Sequence, residues 1–141
     1  MTHPPTIRDT ERLRQLTEQG VAIWLDDLSR DRLDSDTLRR LVEECYVVGV
    51  TSNPTIFQTA ITKSSAYDDQ LRMHAELGSD AGTAIHDMTT DDVRAACDLL
   101  APVAERTGGL DGRVSLEVDP RLAHETQETI DQAHDLWEEV D

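Results

Sequence analysis

The sequence of 141 residues predicts an α/β fold built on a parallel sheet. Three observations predict it. Short apolar runs at 21–25 and 46–51, and an alternating polar–apolar stretch at 113–118, have the β-branched character of strands. Each is followed by apolar residues at the three-to-four spacing of an amphipathic helix. The intervening segments are long enough for crossovers, which are right-handed in parallel sheets. The order reads as a leading helix, then three strand–helix repeats, with a helix inserted after the second strand.

Residues 1–6 read as a disordered lead-in. A helix is expected from Thr6 to Gly20, with Ile7, Leu13 and Leu16 near helical spacing and Gly20 as its stop. Val21-Ala22-Ile23-Trp24-Leu25 is continuous and apolar, as in a strand buried on both faces, and ends in Asp26-Asp27. Asp36 to Cys45 is a short helix with Leu38, Leu41 and Val42 inward, capped by Ser35 or Asp36. Tyr46 to Thr51 is the second strand, and it runs into Ser52-Asn53-Pro54. Asn is a strong helix cap because its side-chain oxygen satisfies an orphan backbone N–H. Pro suits the first helical position, where it has no hydrogen bond to lose.

From Pro54 a helix is expected to about Leu77, with a break near Tyr67-Asp68-Asp69 and a stop at Gly78. Ala84 to Met88 reads as a helical turn. Thr89-Thr90-Asp91-Asp92 reads as the start of a separate helix that Pro102 kinks or ends. Thr107 to Gly112 is a glycine-rich loop. Arg113 to Val118 is the third strand, closed by Pro120, and one helix is expected from Leu122 to the end.

The net charge of −16 argues against nucleic acid or an anionic membrane as partner, since both repel an acidic surface. No apolar run is long enough to span a bilayer. Met1-Thr2-His3-Pro4-Pro5 lacks the basic and apolar regions of a signal peptide, so a cytoplasmic location is expected. Cys45 and Cys97 are isolated and read as reduced thiols. No zinc-ligand spacing is present and the five histidines form no motif, so neither a metal nor a cofactor is expected.

The chemistry sits at the strand ends. The first strand ends in Asp26, the second in Thr51 and Asn53, and the third carries Glu117. In a parallel sheet these ends share one side, where α/β folds bind ligands. A carboxylate between Leu116 and Val118 is costly unless it has a partner or a task, and burial would suit it to proton transfer near neutral pH. The competing readings are structural. Asn53 can serve only as a cap, Asp26 as a turn residue, and Glu117 as a solvent-facing strand residue.

Three blocks carry a resemblance. Ala22-Ile23-Trp24-Leu25-Asp26-Asp27-Leu28-Ser29-Arg30, Val48-Gly49-Val50-Thr51-Ser52-Asn53-Pro54-Thr55-Ile56-Phe57 and Val114-Ser115-Leu116-Glu117-Val118-Asp119-Pro120 resemble the N-terminal portion of an actinobacterial-type transaldolase. The resemblance implies part of a TIM (β/α)8 barrel, about three of its eight strand–helix units. On that basis 1–141 is a single partial domain. It also implies pentose phosphate chemistry: transfer of a dihydroxyacetone unit between sugar phosphates through a Schiff base on lysine. The expected partners are fructose 6-phosphate, sedoheptulose 7-phosphate, erythrose 4-phosphate and glyceraldehyde 3-phosphate. By the same resemblance Asp26 takes part in proton transfer, Asn53 hydrogen-bonds the substrate with Thr51 beside it, and Glu117 acts with a water as general acid and base.

The family's Schiff-base lysine has no counterpart among these residues. Lys63 is the only lysine and reads as a solvated surface residue matching nothing catalytic. The expectation is a transaldolase sequence that is not competent by itself. The alternative is a catalytically inactive partial barrel that self-associates through open strand edges. An unrelated acidic α/β binding module would not carry the three blocks together.

Overall fold

A computed structural model describes residues 7–140, with side chains from Thr10 onward. The lead-in expected over 1–6 lies outside the described residues. The chain opens with α1 (Ile7–Glu18), two residues short of the expected stop, and Gly20 turns it at φ +83°.

Strands β1 (Ile23–Leu25), β2 (Val47–Val50) and β3 (Arg113–Val114) form a parallel sheet in the order β1-β2-β3, as expected. Leu25 pairs with Val50, and Val50 with Val114. These three residues share one face of the sheet, because side chains alternate along a strand. That face meets a core of Leu28, Leu38, Val50, Phe57, Val93 and Leu100. Trp24 lies on the opposite face and is 41% exposed, so the first strand is not buried on both sides. Its ring lies over Gly49, the residue it pairs with.

β3 is two residues long rather than six. The Ser115 N–H still donates to the Val50 carbonyl at 3.0 Å. The ladder then stops because Ser52 captures Ser115. The Ser52 hydroxyl donates to the Ser115 carbonyl at 2.5 Å, and the Ser115 hydroxyl accepts from the Ser52 N–H at 3.1 Å.

Between β1 and β2 lie α2 (Arg30–Asp34), which the apolar spacing did not announce, and α3 (Thr37–Glu44). Asp36 precedes α3 in the left-handed region at φ 56°, and its side chain makes no cap bond. After β2 come α4 (Pro54–Lys63), a 3-10 turn at Ser65–Tyr67 and α5 (Asp68–Leu77). The break falls at Ser64, whose hydroxyl accepts from the Ala66 N–H at 3.0 Å. Gly78 stops α5 at φ +70°, as expected.

The two helices expected over 84–103 are one, α6 (Ala81–Arg106). Thr89 and Thr90 do not start a helix, because their hydroxyls bond back to the His86 carbonyl at 2.9 and 3.0 Å within a continuing turn. The helix also runs through Pro102. A 3-10 turn at Pro120–Leu122 and α7 (Thr126–Val140) replace the single helix expected from Leu122.

A buried polar network ties α2 to α6. Arg30 Nε donates to Asp92 Oδ1 at 2.8 Å, and the Tyr67 hydroxyl donates to Asp92 Oδ2 at 2.6 Å. The Arg30 N–H donates to Tyr67 Oη at 2.9 Å, and the guanidinium lies 4.7 Å above the Tyr67 ring. Burial pushes the Asp92 carboxyl up, against the pull of Tyr67 and Arg30. Cys45 and Cys97 are free, and burial pushes both thiols up. Among the described residues no helix is long and apolar enough to cross a membrane.

Candidate active site

The sheet delivers its strand ends to one side of the molecule. β1 runs out at Leu25 and presents Asp26 next. β2 ends at Val50, and the Thr51 N–H donates to the Leu25 carbonyl at 2.8 Å, which keeps the two strand ends level. The Thr51 hydroxyl then donates to Asp26 Oδ1 at 2.5 Å. Thr51 therefore holds the aspartate, and it does not line the cavity described below.

Asn53 has extended backbone and caps α4: its Oδ1 accepts from the Ile56 N–H at 3.0 Å. The capping role considered from sequence is real. It uses the carbonyl end of the amide, while the residue also lines the cavity described next.

Asp26, Asn53 and Glu117 line one open cavity of about 1010 Å³. Its wall continues along α4 through Ile56, Thr59, Ala60 and Lys63, spaced as one helical face. Asp27, Ser29, Asp31 and Pro120 complete much of the rim. Asp26 and Glu117 are both exposed, so Glu117 is not the buried carboxylate its apolar neighbours suggested. β3 ends at Val114, before Glu117, and Val114 and Leu116 pack on the core cluster while Glu117 lines the cavity. Asp27 is paired with Arg32 across the first turn after β1.

Sequence reasoning passed over Lys63 at this site. It lines the same cavity, although it is exposed as expected for a surface lysine. The available signal was the i, i+4, i+7 spacing of Ile56, Ala60 and Lys63 along a helix capped by Asn53. A second, more apolar cavity of about 720 Å³ adjoins the first, with Asn53, Pro54, Glu117 and Pro120 on both walls. It runs between Phe57 and Ile61 on α4, Ile85 on α6 and Leu136 on α7.

The charge at the first cavity is lopsided. Asp26, Asp27, Asp31 and Glu117 face a single lysine. Such a site orients hydroxyls and moves protons more readily than it grips a phosphate.

Comparison with known proteins agrees with the three sequence blocks. The chain is 57% identical over 129 residues to a transaldolase of Mycobacterium ulcerans. It is 55% identical over the same length to one from Mycobacterium tuberculosis H37Rv and 56% identical to one from Mycolicibacterium smegmatis. Each match takes in 92% of this chain and 35% of the relative, so the chain spans about a third of the length of these curated relatives. The profile of the transaldolase/fructose-6-phosphate aldolase family matches residues 23–141, a span holding every strand and each of the four expected site residues. With strands, strand-end residues and family profile coinciding, this chain belongs to the transaldolase/fructose-6-phosphate aldolase family.

Proposed function

We propose that these residues form the first three strand–helix units of a transaldolase barrel and supply its proton-transfer groups. The observation that carries the reading is the shared cavity of Asp26, Asn53 and Glu117 beyond the ends of three parallel strands. The substrates are ketose and aldose phosphates of the pentose phosphate type, such as fructose 6-phosphate and erythrose 4-phosphate. The reaction moves a dihydroxyacetone unit between them.

In this reading Asp26 accepts and returns the proton of a substrate hydroxyl, with Thr51 fixing its orientation. The Asn53 NH2 donates to a substrate oxygen. Glu117 relays protons through a water as the Schiff base forms and is released. An acidic wall repels a phosphate, so the phosphate is gripped away from these four carboxylates. The enamine that stabilises the donor carbanion needs an amine nucleophile. Lys63 is exposed on α4 and is not that nucleophile; a lysine outside residues 1–141 supplies it.

The test uses the complete barrel carrying these residues. Asp26→Asn and Glu117→Gln should each lower turnover by about 100-fold with little change in KM, because general acid–base groups act in the transition state. Unchanged turnover in Glu117→Gln removes that residue from the mechanism. Residues 1–141 alone should form no borohydride-trapped adduct with fructose 6-phosphate. A stoichiometric adduct on Lys63 would overturn the assignment.

A further inference from the structure

Where α5 and α7 each pack on α6 we infer a divalent-cation site, with His86, Asp87 and Glu139 as ligands and His74 supporting Asp87. The sequence carries no metal-binding spacing, because the ligands come from helices far apart in the chain. The fold gathers them: one ligand atom from each of His86, Asp87 and Glu139 lies within 4.8 Å of the other two. Ligands of a tetrahedral zinc ion, at about 2.0–2.2 Å from the metal, sit about 3.3 Å apart. The three atoms therefore need only a small adjustment to share an ion.

His74 is the independent observation. It is 5% exposed, and its Nε2 is buried without a hydrogen-bond partner among the described residues. An orphaned buried nitrogen destabilises the fold unless something satisfies it. That Nε2 lies 3.5 Å from Asp87 Oδ2. The separation is long for an N–H···O bond. The other ring nitrogen, Nδ1, lies 3.3 Å from the Ser79 hydroxyl. With Nδ1–H donating to Ser79, the Nε2 lone pair points toward the Asp87 carboxylate, an arrangement that a cation relieves.

Glu139 is already held for the task. Thr90 Oγ1 is 3.3 Å from its Oε1, and Arg94 Nη2 donates to its backbone carbonyl at 2.5 Å. Oε2 is left for His86 Nε2, at 2.6 Å. When the ion binds, His86 carries its proton on Nδ1 and gives the Nε2 lone pair to the metal. His86 also lines the second cavity, which provides an entry path. One imidazole and two carboxylates, with a water in the fourth position, suit zinc, and the chain's net charge of −16 favours any cation. This site is separate from the proposed chemistry at Asp26, Asn53 and Glu117 and does not rest on it.

Calorimetric titration of the metal-stripped chain with zinc chloride tests the site. We expect one ion per chain, with a dissociation constant in the micromolar range or tighter. His86→Ala and Glu139→Gln should each weaken binding by about 100-fold, and His74→Ala by about 10-fold, as for a supporting residue. His134→Ala, an exposed histidine on α7, should change nothing. Unaltered circular dichroism in the presence of chelator separates ligand loss from unfolding. Cobalt(II) loading of the unmutated chain gives a second readout that no variant can spoil. Weak visible bands without thiolate charge transfer support the site. A thiolate band, no saturable binding, or full affinity in the His86→Ala/Glu139→Gln double variant overturns it.

Discussion

The Trp24 indole lies against Gly49, the residue with which it pairs across β1 and β2. A methyl group at Gly49 would come within 2.5 Å of Trp24 Cε2 and 2.6 Å of Cδ2. The glycine is there for this approach. Gly49→Ala should destabilise the chain by about 1–3 kcal/mol, the usual cost of overpacking. Trp24→Leu in the same chain should recover part of the loss. Urea unfolding of both single variants and the double variant gives the coupling; simple additivity would remove the contact as the cause.

Tyr67 and Asp92 make the second measurable pair. The phenol donates to a carboxylate that is almost fully buried. Tyr67→Phe should cost about 2 kcal/mol, the value of a hydrogen bond to a charged group. Asp92→Ala should cost about 3–5 kcal/mol, because it leaves the Arg30 guanidinium partly buried without its carboxylate.

The same phenol gives a pH dependence. Burial, and then its bond to Asp92, push the Tyr67 hydroxyl well above the ordinary tyrosine range. The folded state holds this proton more tightly than the unfolded state. Its stabilising effect is therefore complete below the ordinary value of about 10 and is lost as pH rises beyond it. Urea midpoints measured from pH 8 to pH 11 should fall more steeply in the unmutated chain than in Tyr67→Phe.

Asn53 allows its two roles to be separated. Asn53→Ala loses the cap on α4 and should cost about 1 kcal/mol. Asn53→Asp keeps an oxygen for the Ile56 N–H and should keep nearly all of that stability. In the complete barrel both variants lack the amide donor, so both should raise KM for the sugar phosphate. If Asn53→Asp binds substrate normally, Asn53 is only a cap.

Thr51 is proposed to act through Asp26. Thr51→Val keeps the shape and removes the hydroxyl that donates to the carboxylate. Turnover of the complete barrel should fall by about 10-fold with KM nearly unchanged, and Thr51→Ser should restore it. Failure of Ser to rescue would make Thr51 a packing residue.

The sequence by itself determined the strand order, the parallel sense and the strand-end polar residues. These follow from local signals: apolar β-branched runs, a capping Asn-Pro and long crossovers. It also determined the family, since the three blocks that carry the resemblance lie at those strand ends. The tertiary structure decided what depends on residues distant in sequence. Ser52 ends β3 by capturing Ser115. Arg30, Tyr67 and Asp92 fix the unannounced helix α2 against α6. Thr89 and Thr90, good helix starters in isolation, lie within α6 because the helix is anchored on both sides of them, by Ala84 and Met88 in one buried cluster and by Val93, Ala96 and Leu100 in another. Glu117 is exposed although its neighbours are apolar, and Lys63 reaches the cavity along α4. His86 meets Glu139 because α7 packs on α6, and His74 meets Asp87 because α5 packs on α6, juxtapositions to which local spacing is blind.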